Sequence, residues 1–306
     1  MIKLERRLMD NNVAPIFIDP IHQSNFDENG YIKIKLFDVE TINHLKTLFY
    51  NYHSENRDDF FGSSSYLSDF NLKKEIGTRI LNIITPFYDT IFKNYDPLGA
   101  SFLYKTKGKN SALAPHQDWT IVDEKKDIAL NVWIPLVETN KENGTLFVVP
   151  KTHSKFLESF RSPTLPFFFE KLESTILSKS IEIKAEIGDV IILNESLIHF
   201  SSPNNTNDIR IAITAGVTNK GAKMHFLFYD KKNKTLETYD IERDFLISFE
   251  NFFEDIYKRP NAKIIDKKKF IPLIIHSKKD LIHFLENQEI KQSNSFLSKI
   301  INTFNH

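Results

Sequence analysis

The stretch GDVIILNESLIHFSSPNNTNDIRIAITAGV, residues 188–217, decides the fold. It holds two β-branched apolar runs, 190–193 and 209–217, with Pro203-Asn204-Asn205 between them as a turn signal. Both are too short for a helix and rich in Val and Ile, as strands are. The same pattern repeats upstream. Residues 100–105, 128–136, 145–149 and 180–184 read as further strands, divided at Glu142-Asn143-Gly144 and Ile187-Gly188-Asp189. Downstream, 224–229 and 235–239, joined through 230–234, read as a hairpin that extends the sheet. Many short strands between even turns favour a jelly roll or barrel over a parallel α/β sheet.

The flanks read differently. Residues 39–53 place Ile42, Leu45, Leu48 and Phe49 on one helical face, and 72–95 repeat Ile76, Ile80, Ile83, Ile84, Phe87 and Ile91 at helical spacing, with a break at Pro86. Residues 244–257 and 278–302 read as closing helices. No repeat, low-complexity tract or linker divides the chain. The expectation is one domain over 1–306, mainly β with flanking helices (α+β): a mostly helical part to residue 98, a jelly-roll core over 99–240, and C-terminal helices over 241–306.

Composition narrows the function classes. The 306 residues are 41% hydrophobic and 26% charged, as in ordinary globular chains, and long enough to bury a sizeable core. Lys and Arg total 40 against 40 Asp and Glu, so neither nucleic acid nor an anionic membrane surface is an expected partner. Residues 1–15 carry Glu5, Arg6, Arg7 and Asp10, which leaves no room for a signal-peptide core there, and no apolar run approaches a membrane span. There is no cysteine. That removes disulfides, cysteine-ligated clusters and thiol catalysis, leaves His and carboxylates to hold any metal, and is compatible with a cytoplasmic location.

Ten histidines are present, and two stand out. His116-Gln117-Asp118 sets an imidazole and a carboxylate two residues apart, on one face if the segment is a strand. His199 follows the 190–193 run where a strand would end. Two imidazoles and one carboxylate on one face of an octahedron leave three positions open, which suits a non-haem Fe(II) oxygenase: two for a keto-acid and one for O₂. Arg210 lies eleven residues beyond His199 (210 − 199 = 11), where a guanidinium can clamp the far carboxylate of 2-oxoglutarate with paired hydrogen bonds. Ser201 offers a hydroxyl to the same carboxylate, and Lys105 stands near enough the sheet's start to reach the co-substrate. An HxD alone is common. The ordered series HxD, Gly-Asp strand, His, Ser, Arg is far more specific.

With those residues in view, the sequence resembles the phytanoyl-CoA dioxygenase-like family of Fe(II)/2-oxoglutarate oxygenases. His116–Trp119, Asn131–Leu136, Glu142–Leu146, Gly188-Asp189 and His199 through Arg210 carry the resemblance, within roughly residues 100–218. It implies a double-stranded β-helix (a cupin-like jelly roll) with His116, Asp118 and His199 as catalytic iron ligands. It further implies Arg210 and Ser201 on the co-substrate's distal carboxylate, Trp133 lining its pocket, and hydroxylation of a small-molecule C–H with release of succinate and CO₂. Asp118 favours hydroxylation over halogenation, since halogenating relatives carry a small residue there. One departure is Val149-Pro150-Lys151-Thr152-His153, where the family commonly reads Pro-Gly-Ser-His; Lys151 stands at the turn glycine.

Blander readings accompany each of these. Tryptophan is more often core than pocket, and His153 reads as holding its turn rather than contacting a substrate. Asp123-Glu124 reads as a solvated loop pair or a contact for a charged substrate group. The run 163–169, with three consecutive phenylalanines among 27, reads as an apolar plug, or as a wall of the substrate mouth. The substrate expected is a small polar metabolite, an amino acid or a natural-product intermediate. Alternatives are a non-catalytic jelly-roll binding protein, an oxygenase acting on an acyl-CoA or peptide, and a zinc hydrolase, which would need neither O₂ nor Arg210. Oligomeric state is not encoded in any of these features.

Overall fold

Period-2 patterning builds the core of the molecule, which a computed structural model describes over residues 13–53, 61–153 and 160–286. In chain order come α1 (Pro20–Asn29), β1 (Tyr31–Lys35), α2 (Val39–Tyr52), β2 (Phe61–Ser63), α3 (Phe70–Tyr88) and β3 (Tyr95–Lys105). There follow β4 (Leu113–His116), β5 (Ala129–Pro135), β6 (Leu146–Val148), α4 (Glu173–Lys179), β7 (Ile181–Ile183), β8 (Asp189–Asn194), β9 (His199–Ser201) and β10 (Arg210–Asn219). Last are β11 (His225–Asp230), β12 (Thr235–Asp240), α5 (Phe252–Asp255), β13 (Lys263–Lys269) and α6 (Lys278–Glu286).

From β3 to β10 the chain passes back and forth between two antiparallel sheets. One is ordered β1-β8-β5-β10-β3-β2 and the other β4-β9-β6-β7. This is the expected double-stranded β-helix, a jelly-roll core with helices packed outside it. Successive residues on a strand face opposite ways, so each strand of the larger sheet supplies two cores. Val132, Ile134, Val190, Ile192, Ile211 and Ile213 pack outward against Ile42, Leu45, Ile76 and Ile80 of α2 and α3. Trp133, Ile191, Leu193 and Ala212 point the other way, onto Leu146, Val148 and Ile183 of the smaller sheet.

Asp38 and Asp69 cap α2 and α3 by accepting hydrogen bonds from Thr41 N and Leu72 N. Helix α3 stops at Tyr88 and β3 begins at Tyr95, so the helix expected over 72–95 ends early. Pro86 lies in its final turn and does not break it. The N-terminal part is also less helical than its periodicity suggests, because β1 and β2 complete both edges of the larger sheet.

The 224–239 hairpin forms but does not extend the jelly roll. Strand β10 is already flanked by β3 and β5, so β11 has no edge to join; it pairs with β12, and β12 with β13, in a separate three-stranded sheet. The helix expected over 244–257 is reduced to a 3-10 turn at Arg243–Ile247 and the four residues of α5. Phe245, Phe249 and Phe252 there still join one aromatic cluster around Trp119 and Phe226. Of the helix expected over 278–302, α6 accounts for 278–286; 287–302 lie outside the described residues. No described helix is long and apolar enough to cross a membrane.

The Gly-Asp turn before β8 is built tightly. Gly188 adopts φ 87°, and its carbonyl accepts from Leu36 N and Phe37 N at 3.0 and 3.1 Å. A Cβ there would lie 2.1 Å from Phe37 O. Gly188→Ala combines a left-handed alanine with a backbone overlap, and is expected to lower unfolding stability by about 3 kcal/mol in urea titration. An unchanged midpoint would show that the β1–β8 junction is free to open.

Candidate active site

The smaller sheet sets the two imidazoles. Edge strand β4 pairs with β9 so that His116 and His199 are direct register partners, with ring centroids 4.3 Å apart. Pro115 is tolerated because β4 is an edge. Each ring places Nδ1 on the carbonyl two residues before it, Ala114 at 2.8 Å and Leu197 at 2.9 Å. A donated Nδ1–H fixes both rings in the tautomer whose free Nε2 is a metal ligand. Burial first, and the neighbouring His199 second, hold the His116 imidazole down at about 4, which keeps it neutral near pH 7.

Asp118 completes the group, though not as a strand residue: β4 ends at His116 after a register shift, and Asp118 stands in the following loop. Its carboxylate oxygens lie 3.8 Å from His116 Nε2 and 3.8 Å from His199 Nε2. One ligand atom from each residue lies within 4.8 Å of the other two, a spacing that one metal ion can bridge. The loop is anchored at three atoms. Asp118 N donates to Glu195 O at 2.9 Å, Arg161 Nε donates to Asp118 O at 2.8 Å, and Asn131 Nδ2 donates to Asp118 Oδ2 at 3.0 Å. Thr214 in turn donates to Asn131 Oδ1 at 2.8 Å.

The larger sheet supplies the other half of the site. Lys105 and Arg210 are cross-strand partners in β3 and β10, and both are essentially fully buried. Two basic side chains directly opposite are unfavourable unless an anion joins them. Neither is in an ion pair among the described residues, and Arg210 Nε and Nη1 have no hydrogen-bond partner. Lys105 Nζ donates to the carbonyls of Ser201 and Ser202 at 3.2 and 2.6 Å, while burial, and then Arg210, push its amine down to about 5. Burial alone lowers Arg210 to about 9. Trp133 lies beneath the guanidinium, its ring centroid 5.7 Å from Cζ, and belongs also to the core between the sheets. Ser201 is buried two residues beyond His199 on β9. All seven residues singled out by sequence thus fall on two facing sheets or the loop beside them.

Other expectations resolve individually. Lys151 takes the left-handed conformation (φ 68°) of the glycine it replaces, so the turn keeps its shape at a cost of about 1 kcal/mol. His153 does hold that turn: its Nε2 meets Asp27 O at 3.1 Å, and its carbonyl accepts from Ser196 Oγ at 3.3 Å. Glu124 is no solvated loop residue; Arg161, itself buried, clamps it through two guanidinium nitrogens. Phe168 and Phe169 are buried with Ile176, Ile198 and Leu281, as a plug would be, and Phe167 is the more exposed of the three. Sequence reasoning missed Asn131, Thr214, Arg161 and Glu195. Asn131 was within reach, since it sits two residues from Trp133 and therefore on the same face.

Residues 91–212 match the family model described as phytanoyl-CoA dioxygenase (PhyH). Phytanoyl-CoA dioxygenase 1 of Oryza sativa subsp. japonica is 23% identical over 138 residues, 44% of this chain and 49% of the relative. The phytanoyl-CoA dioxygenase domain-containing protein 1 homolog of Dictyostelium discoideum is 25% identical over 155 residues, 48% of this chain and 55% of the relative. The chain thus spans about half the length of the curated relatives it matches. Among solved structures, it is similar to HygX from Streptomyces hygroscopicus with nickel, 2-oxoglutarate and hygromycin B bound. There the TM-score is 0.49 at 16% identity, covering 67% of this chain and 88% of that one. It is also similar to SnoK, a non-heme alpha-ketoglutarate-dependent carbocyclase from nogalamycin biosynthesis, with TM-score 0.49 at 13% identity, covering 68% of this chain and 86% of that one. The matched segment 91–212 contains the whole His116–Asp118–His199 group and Arg210.

Proposed function

We propose that the protein is an Fe(II)- and 2-oxoglutarate-dependent dioxygenase that hydroxylates a C–H bond of a small molecule. The observation that carries this reading is the buried Lys105–Arg210 pair, two bases without a carboxylate, facing a sheet that bears a two-His, one-carboxylate group. His116, Asp118 and His199 would hold the iron, which when bound supplies the oxidising chemistry with O₂ and the keto-acid. Arg210, with Nε and Nη1 buried and without partners, would donate from its guanidinium to the distal carboxylate, with Ser201 and Lys105 beside it and Trp133 as the floor. Two buried bases at that end suit the far carboxylate of a dicarboxylate.

Trp119, next in sequence to Asp118, packs in an aromatic cluster with Phe226, Phe249 and Phe252. A polar metabolite, an amino acid or a natural-product intermediate remains the substrate class we favour.

Anaerobic protein loaded with Fe(II) is expected to develop a weak visible charge-transfer band on adding 2-oxoglutarate, and to release succinate when air is admitted. Neither band nor succinate would remove the reading. Turnover of an ester or amide without O₂ would replace it with a zinc hydrolase.

Lys105 gives this reading a pH signature. With its amine held at about 5, Lys105 is neutral in the free protein near pH 7. A carboxylate favours the charged form, so binding raises the Lys105 pKa and takes up a proton. Affinity for 2-oxoglutarate should therefore fall as pH rises from about 6 to 8, by up to about tenfold per unit. Calorimetry in buffers of differing ionisation enthalpy should count close to one proton, and Lys105→Met should abolish the uptake. An equal count in that variant would assign the proton elsewhere.

A further inference from the structure

We infer that Arg161 is a positioning residue for the metal centre, acting through the main chain of Asp118 while Glu124 locks its guanidinium; this rests on the reading of His116, Asp118 and His199 as metal ligands. The two histidines need no such help, since the β4–β9 ladder and their Nδ1 contacts fix them. Asp118 lies beyond the end of β4, and no ladder hydrogen bond determines where its Cα–Cβ bond points.

Arg161 supplies that constraint from 43 residues away. Its Nε donates to Asp118 O at 2.8 Å, Nη1 donates to Glu124 Oε2 at 2.9 Å, and Nη2 to Glu124 Oε1. Two further hydrogen bonds tie the same backbones together: Thr120 N donates to Arg161 O at 3.0 Å, and Arg161 N donates to Thr120 Oγ1 at 3.0 Å. The loop 118–124 is thereby fastened at both ends to one arginine. The arginine's own segment is anchored in turn, with Ser162 Oγ donating to Leu227 O and Tyr229 N donating to Thr164 Oγ1 at 2.8 Å. A charged donor on the Asp118 carbonyl fixes the peptide plane that follows the ligand, while the Asp118 N contact to Glu195 O and the Asn131 contact to Oδ2 hold the plane before it and the carboxylate itself. Lysine cannot reproduce this, because it lacks the planar fork that serves a carbonyl and a bidentate carboxylate together.

The test is a double-mutant cycle read by metal affinity rather than turnover. Ni(II) alone is titrated into the full-length protein, Arg161→Lys, Asp118→Ala and the double variant, with each fold checked by thermal unfolding. Arg161→Lys is expected to weaken Ni(II) binding about tenfold or more, as loss of an outer contact to a ligand does. In the Asp118→Ala background the same change is expected to alter affinity less than about twofold, since the group through which Arg161 acts is gone. Glu124→Gln should fall between, keeping one partner for the guanidinium. Undiminished affinity in folded Arg161→Lys would overturn the inference. So would an equal loss in both backgrounds, which would mark a general structural role. Wild-type protein that binds no Ni(II) would instead overturn the ligand assignment on which it stands.

Discussion

Asp118→Ala is expected to weaken Fe(II) binding at least about a hundredfold, since losing a ligand costs more than losing an outer contact to one. 2-Oxoglutarate-dependent succinate release should fall to background. The fold should survive, because Asp118 stands in a loop with a quarter of its side chain exposed, and its backbone hydrogen bonds to Glu195 and Arg161 do not require the carboxylate. Anaerobic Fe(II) titration with thermal unfolding of the same samples separates the two effects. Full turnover in the variant would mean that the three side chains, though within 4.8 Å of one another, are not the reactive centre.

Arg210→Ala is expected to leave metal binding intact and to raise the 2-oxoglutarate concentration for half-saturation by more than about a hundredfold. Truncating one partner of a buried, hydrogen-bonded charge pair costs roughly 2–5 kcal/mol, and about 2.7 kcal/mol already corresponds to that factor. The stability effect has the opposite sign from an ordinary core truncation. Without a ligand, Arg210 is a fully buried base opposite Lys105 with two unpartnered nitrogens, so removing it relieves an uncompensated group. The melting temperature of the apo variant should equal or exceed that of the parent. Arg210→Lys should recover little affinity, since one ammonium cannot present two fixed donors. A 2-oxoglutarate requirement unchanged by Arg210→Ala would place the dicarboxylate elsewhere.

Much of this was legible in the chain, for identifiable reasons. Strand alternation is a local code, so 128–136, 190–193 and 209–217 could be read directly. The spacing from His116 to Arg210 carried the site because its members are few and chemically distinctive. What escaped reading depends on contacts between distant segments. Nothing near Tyr31–Lys35 says that it will edge the larger sheet beside β8, and nothing near Arg161 points to Asp118. The 224–239 hairpin was visible, but its exclusion from the jelly roll is decided by the prior occupancy of both sides of β10. Residues 244–257 misled for another reason: helical spacing of phenylalanines arises equally when several rings converge on one tryptophan.

Strand β4 is the more lightly paired of the two strands that carry the histidines. It lies at a sheet edge, includes Pro115, and contributes only Leu113↔Ser201 and His116↔His199 as register pairs. An ion held jointly by His116 and His199 would act as a rivet through two neighbouring strands, so the margin of the jelly roll would be tightened by the same atom that performs the chemistry. Starving the protein of metal would then loosen its rim as well as silence it.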